Sequence, residues 1–104
     1  MQLARILAIS TLTTSLSTQY TVPIGATTRI TRISIAAGST ANGVTIQVKD
    51  SSLNITKNLW NNRSLAANTT AEIFDLILET GDQILAKTTT AIDFDIIIMG
   101  IEDI

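Results

Sequence analysis

The sequence contains neither cysteine nor histidine in its 104 residues. That removes disulfide-stapled scaffolds, His/Cys zinc sites and the Ser-His-Asp and Cys-His nucleophile systems, and with them most of the chemistry open to a small enzyme. Charge is also sparse. Only 15% of the residues are Asp, Glu, Lys or Arg, against roughly 25% in ordinary soluble domains, so the polar surface has to come from Thr, Ser and Asn. Such a deficit fits a surface largely covered by protein partners. The seven basic and nine acidic residues are scattered, the net charge is −2, and no basic stripe offers nucleic acid the footprint it requires. The longest apolar run, Ile96–Met99 with Gly100 and Ile101 behind it, falls far short of the roughly 18 residues of a spanning helix. No membrane partner is expected. A secretory signal also fits poorly, because the short Ile6–Ile9 patch has no small-x-small cleavage site behind it.

What the chain has in excess is β-branched side chains. Thr and Ile occur 17 times each and Val 3 times, 37 of 104 residues together. Two substituents on Cβ restrict χ1 in a helix and pack well on a pleated surface, so composition alone argues for sheet. Alternation supports it. Ile33, Ile35 and Ala37 alternate with Arg32, Ser34 and Ala36, and Val44, Ile46 and Val48 alternate with Thr45, Gln47 and Lys49, which predicts two strands joined by the polar turn Gly38–Gly43. Ala71–Leu78 also fits a helical spacing. The Glu79-Thr80-Gly81-Asp82 turn that follows at once favours a strand, with Phe74, Leu76 and Leu78 on one face. A short strand through Ile84 and Ala86 comes next.

The last strand sets Phe94, Ile96 and Ile98 on one face and Asp93, Asp95, Ile97 and Met99 on the other. Its second half is apolar on both faces, as expected of a strand central in its sheet or covered by a neighbouring subunit. Gly100, inside that pattern, marks a bulge or a close backbone approach. Leu3, Ile6 and Leu7 read either as a helical stripe or as an irregular strand, and Leu53–Leu65 has no clear period. About seven or eight short strands predict an all-β fold, an antiparallel two-sheet β-sandwich that is jelly-roll-like in the broad sense. Residues 1–104 read as a single domain of this kind, with residues 1–17 a candidate N-terminal arm.

Few constellations suggest chemistry. Asp93 and Asp95 share a strand face and are read as solvated, since a hard cation needs more oxygen ligands than these. The five glycines are too dispersed for a phosphate loop. Three Asn-x-Ser/Thr sequons, at Asn54, Asn62 and Asn68, are read as chance occurrences in a chain rich in these residues. Trp60, the only tryptophan, is either a core residue or an exposed anchor. No catalytic residue, metal ligand or cofactor site is assigned.

Tyr20-Thr21-Val22-Pro23-Ile24-Gly25-Ala26-Thr27, followed by Arg29-Ile30-Thr31-Arg32-Ile33, resembles a group of small virion proteins of tailed bacteriophages. Further matching pieces are Leu65–Thr70, Leu78–Ile84 and Ile98–Glu102, so the resemblance runs from about Tyr20 to the C-terminus. Pro23 presets φ at the second position of the turn and Gly25 closes it. The resemblance implies a non-enzymatic β-sandwich that builds the particle. The first reading is a capsid decoration (cement) protein, a homotrimer that clamps neighbouring major capsid subunits. The alternative is a tail component that touches host carbohydrate through Trp60, Asn58, Asn61 and Asn62. Both place the chain in the virion with protein partners and no direct nucleic acid contact. The expected interface residues are Leu3, Ile6, Leu7, Ile9, Trp60, Ile97, Met99 and Ile101.

Overall fold

The β-branched runs do form strands. A computed structural model describes residues 1–104, with eight strands in succession and no helix. They are β1 (Gln2–Thr11), β2 (Ser17–Thr21), β3 (Thr27–Ala36), β4 (Asn42–Asp50), β5 (Ile55–Leu65), β6 (Thr70–Leu78), β7 (Gln83–Thr88) and β8 (Asp95–Asp103). Two antiparallel four-stranded sheets result, in the orders β1-β8-β3-β6 and β2-β7-β4-β5. The first strand pairs with the eighth, the second with the seventh, the third with the sixth and the fourth with the fifth. That is the pattern of one long hairpin rolled up until β8 also meets β3 and β7 also meets β4. It is the jelly roll expected from strand count and composition.

Inward-facing side chains of the two sheets make one core. Ile30, Ile33 and Ile35 of β3 and Ile96 and Ile98 of β8 meet Val44 and Ile46 of β4 and Ile84 of β7, all fully buried, with Phe94 filling the end. Each such side chain contributes roughly 1.5–3 kcal/mol relative to exposure. The alternations read for β3, β4, β7 and β8 therefore hold, and β8 is central in its sheet, between β1 and β3. Gly100 is a close approach: a Cβ there would lie 2.3 Å from the Arg29 carbonyl oxygen. The neighbouring strands are bulged beside it, at Leu7 in β1 and Thr31 in β3.

Several expectations need correction. Phe74 does not share the inner face with Leu76 and Leu78. Asp75 adopts φ 56°, which breaks the alternation and turns Phe74 outward with Ile77. Pro23 takes the first position of its turn, because the Ala26 N–H donates to the Pro23 carbonyl at 3.1 Å, and Gly25 supplies the left-handed residue at φ 81°. The irregular-strand reading of Leu3, Ile6 and Leu7 is the one realised. The stretch expected as an arm over a neighbour carries β1, paired with β8 of its own chain; Leu12 behind it is fully buried, and the Thr13 carbonyl accepts the Thr88 N–H at 2.9 Å.

Candidate interaction surface

Each sheet of a sandwich keeps one face away from the core, and here the two outer faces differ in chemistry. On the β2-β7-β4-β5 sheet the outward residues include Thr45 beside Lys87, Gln47 beside Leu85 and Lys49 beside Gln83. This face is polar, as a solvated face should be. On the β1-β8-β3-β6 sheet, register places three rows side by side: Ala4, Ile101, Arg29 and Ile77; Ile6, Met99, Arg32 and Phe74; Ile9, Ile97, Ser34 and Glu72. Ile6, Ile9, Phe74 and Ile77 are each more than half exposed.

The two arginines do not make this face cationic. Arg29 pairs with Asp75 at 3.2 Å and Arg32 with Glu72 at 3.1 Å, and the Arg32 guanidinium also reaches the Met99 sulfur at 3.9 Å. A contiguous apolar patch of this kind, its charges paired internally, is uncommon on a free monomer. It is not flat. Between Met99 and Ile101, at Gly100, lies an open depression of about 420 Å³ edged by Ala4, Arg5, Ile6 and Thr31.

Behind the depression, on the core side, β8 carries a buried carboxylate. Glu102 is 1% exposed; it pairs with Arg5 of β1 and accepts the Tyr20 hydroxyl at 2.6 Å, and Tyr20 in turn contacts the Thr28 hydroxyl at 2.8 Å. Burial, reinforced by the Glu102 carboxylate, pushes the Tyr20 hydroxyl up to about 12. Every buried side-chain polar atom in the chain has a partner, and this network anchors β1 and β2 to β8.

Five of the predicted interface residues, Ile6, Ile9, Ile97, Met99 and Ile101, are brought together on this one face. Three are not. Leu3 pairs with Glu102 on the inward side at the rim, and Leu7 is the bulge residue packed against the core. Trp60 sits on β5 opposite Ile46, half-buried against the core, with the Arg63 guanidinium 4.4 Å above its ring. Phe74 and Ile77 belong to the face and were missed, because a regular strand would have pointed Phe74 inward. Asp93 and Asp95 are engaged separately. Asp93 accepts the Ser39 N–H at 2.9 Å, which holds its carboxyl below the usual range, and Asp95 accepts the Thr11 hydroxyl at 2.7 Å.

No protein-family model matches the chain, and no curated protein matches it in sequence. Among solved structures, a chain of infectious bursal disease virus, Gt strain, is similar at TM-score 0.50 and 14% identity, over 98% of this chain and 32% of that one. A pentameric capsid protein isolated from metagenomic phage sequences aligns at TM-score 0.41 and 22% identity, over 91% and 59%. A chain of the bursal disease virus Gx strain aligns at TM-score 0.42 and 12% identity, over 98% and 30%. The chain thus spans about a third of the length of the bursal disease virus chains. At such identities the likeness establishes fold: this is a jelly-roll sandwich similar to one found in a viral protein.

Proposed function

We propose that this chain is a non-enzymatic structural protein of a virus particle, and specifically a bacteriophage capsid decoration protein that clamps neighbouring major capsid subunits. The observation that carries the reading is the asymmetry of the sandwich, one outer face polar and the other neutral and apolar. Such a molecule lies with its apolar sheet against protein and its polar sheet toward solvent. Burial of the face supplies roughly 25 cal/mol per Å² before the cost of association. The internal pairing of Arg29 and Arg32 means that no unpaired charge has to be desolvated. The jelly roll shared with a bursal disease virus chain and the turn signatures of phage virion proteins agree with this role. A tail module reading carbohydrate through Trp60 gains no support, since the ring is stacked under Arg63.

The test uses Phe74→Glu/Ile77→Glu, two exposed positions on an edge strand whose change leaves the core intact. The folded double variant is expected to lose binding to heads of the phage that encodes the chain, while the wild-type protein is found at hundreds of copies per particle. Undiminished binding of the variant, or a handful of copies per virion, refutes the decoration role.

A further inference from the structure

The most exposed large apolar side chain is Ile24, 95% exposed. It stands on a rigid turn. The Pro23–Ala26 hydrogen bond and the left-handed Gly25 define the tip. Beneath it the Val22 N–H donates to the Asp82 carbonyl at 2.9 Å, the Gly81 N–H to the Val22 carbonyl at 3.1 Å and the Thr80 hydroxyl to the Ala26 carbonyl at 2.9 Å. The Asp82 carboxylate, itself buried, accepts the Ser51 and Glu79 N–H groups at 2.9 Å each. Three turns at one end of the sandwich are thus cross-tied into one platform. Turn tips normally carry polar or small residues. The cross-tied backbone of the turn has already lost the freedom that binding would otherwise remove, and the isoleucine it presents is bare.

The same chain offers a shallow, open depression at Gly100, mostly apolar in lining and with Arg5 at its edge neutralised by Glu102. A neutral socket of this kind takes an uncharged aliphatic side chain. We infer that the chain assembles with itself, the Ile24 turn of one copy seating in the Gly100 depression of the next. This rests on the reading of the apolar sheet as a contact surface and names the occupant of part of it. Because the knob is at an end of the molecule and the socket on a face, the contact is heterologous, and repetition closes a ring when the rotation allows. A net charge of −2 opposes such association little. The depression centres on β1 and β8, and Phe74 and Ile77 lie beyond β3 on the far edge strand β6, so the two contacts divide the face between copy and shell.

Sedimentation equilibrium of the full chain tests this, with Ile24→Glu and Ala4→Glu as exposed variants whose folding is checked by circular dichroism. The wild type is expected to be multimeric and each variant monomeric, with Ile24→Ala weakening association by roughly 10- to 100-fold. An equimolar mixture of the two Glu variants should form dimers and nothing larger, since each supplies one intact half of the contact. A monomeric wild type, an Ile24→Glu protein that stays multimeric, or a mixture without dimers overturns the inference. Failure here is separable from failure of the decoration role, because head binding is read on its own and Phe74→Glu/Ile77→Glu is expected to leave the multimer unchanged.

Discussion

Gly100→Ala puts the central packing of the apolar sheet to a quantitative test. The added methyl would lie 2.3 Å from the Arg29 carbonyl oxygen and 3.1 Å from the Ile30 Cα, both backbone atoms of the paired strand β3. No rotamer change relieves such contacts, so β3 and β8 must part by about 1 Å to restore ordinary van der Waals separation. Replacing glycine inside a strand would by itself gain roughly 0.5–1 kcal/mol. Overpacking a dense interior costs about 1–3 kcal/mol, and a backbone clash on a central strand belongs at the top of that range or above it. The clash wins, with a net loss of about 2 kcal/mol or more. For a domain of this size that lowers Tm by roughly 8–16 °C, read by thermal and urea denaturation followed by circular dichroism. Gly25→Ala is the control: nothing lies within 4 Å of its Cβ, and only the left-handed φ of 81° opposes it, at about 1–2 kcal/mol. A Gly100→Ala protein melting within a degree or two of wild type, or above Gly25→Ala, would refute the close-approach argument.

Two further expectations concern the network at Glu102. Tyr20 ionises at about 12 in the fold against 10.0 when unfolded, so the native state holds the proton more tightly; its contribution is complete below pH 10 and is lost as pH rises through 12. Tyr20→Phe should therefore lose stability at neutral pH yet show a shallower decline across that alkaline window, and an unchanged slope in pH-dependent denaturation would count against the assignment. Arg5→Ala leaves the Glu102 carboxylate, 1% exposed, with the Tyr20 hydroxyl and no cation. A loss of about 2–3 kcal/mol is expected, less than for a fully buried pair because Arg5 is half exposed. Adding Glu102→Gln should recover part of it, and strict additivity in the double-mutant cycle would show that the pair is not coupled.

Much of the fold was legible because its causes are local. Thr and Ile in excess, and apolar residues every second position in β3, β4, β7 and β8, follow from side-chain crowding at Cβ and from the pleat. The turn at Glu79–Asp82, with Gly81 at φ 84°, and the close approach at Gly100 follow equally from what only glycine tolerates. The illegible parts share a different cause. Asn54, Asn62 and Asn68, which read as sequons, all adopt left-handed φ of 51–58°, a conformation asparagine tolerates better than most residues. Asn62 interrupts β5 beside its register shifts, which is why Leu53–Leu65 showed no period. Leu7 likewise hides the strand character of β1, because a bulge inserts one residue and shifts the pattern by one.

The candidate surface divides along the same line. Sequence alone determined that Ile97, Met99 and Ile101 face away from the buried side of the last strand, since alternation is a property of one strand's backbone. Tertiary structure alone decided that Ile6 and Ile9, more than eighty residues earlier, lie beside them, and that Phe74 and Ile77 complete the face. It also set Ile24 bare on a platform of three turns drawn from distant parts of the chain. Pairing across such separations depends on how the rolled hairpin closes, and a single left-handed residue such as Asp75 reverses which side a side chain takes. Neither is written in the local pattern of apolar and polar residues.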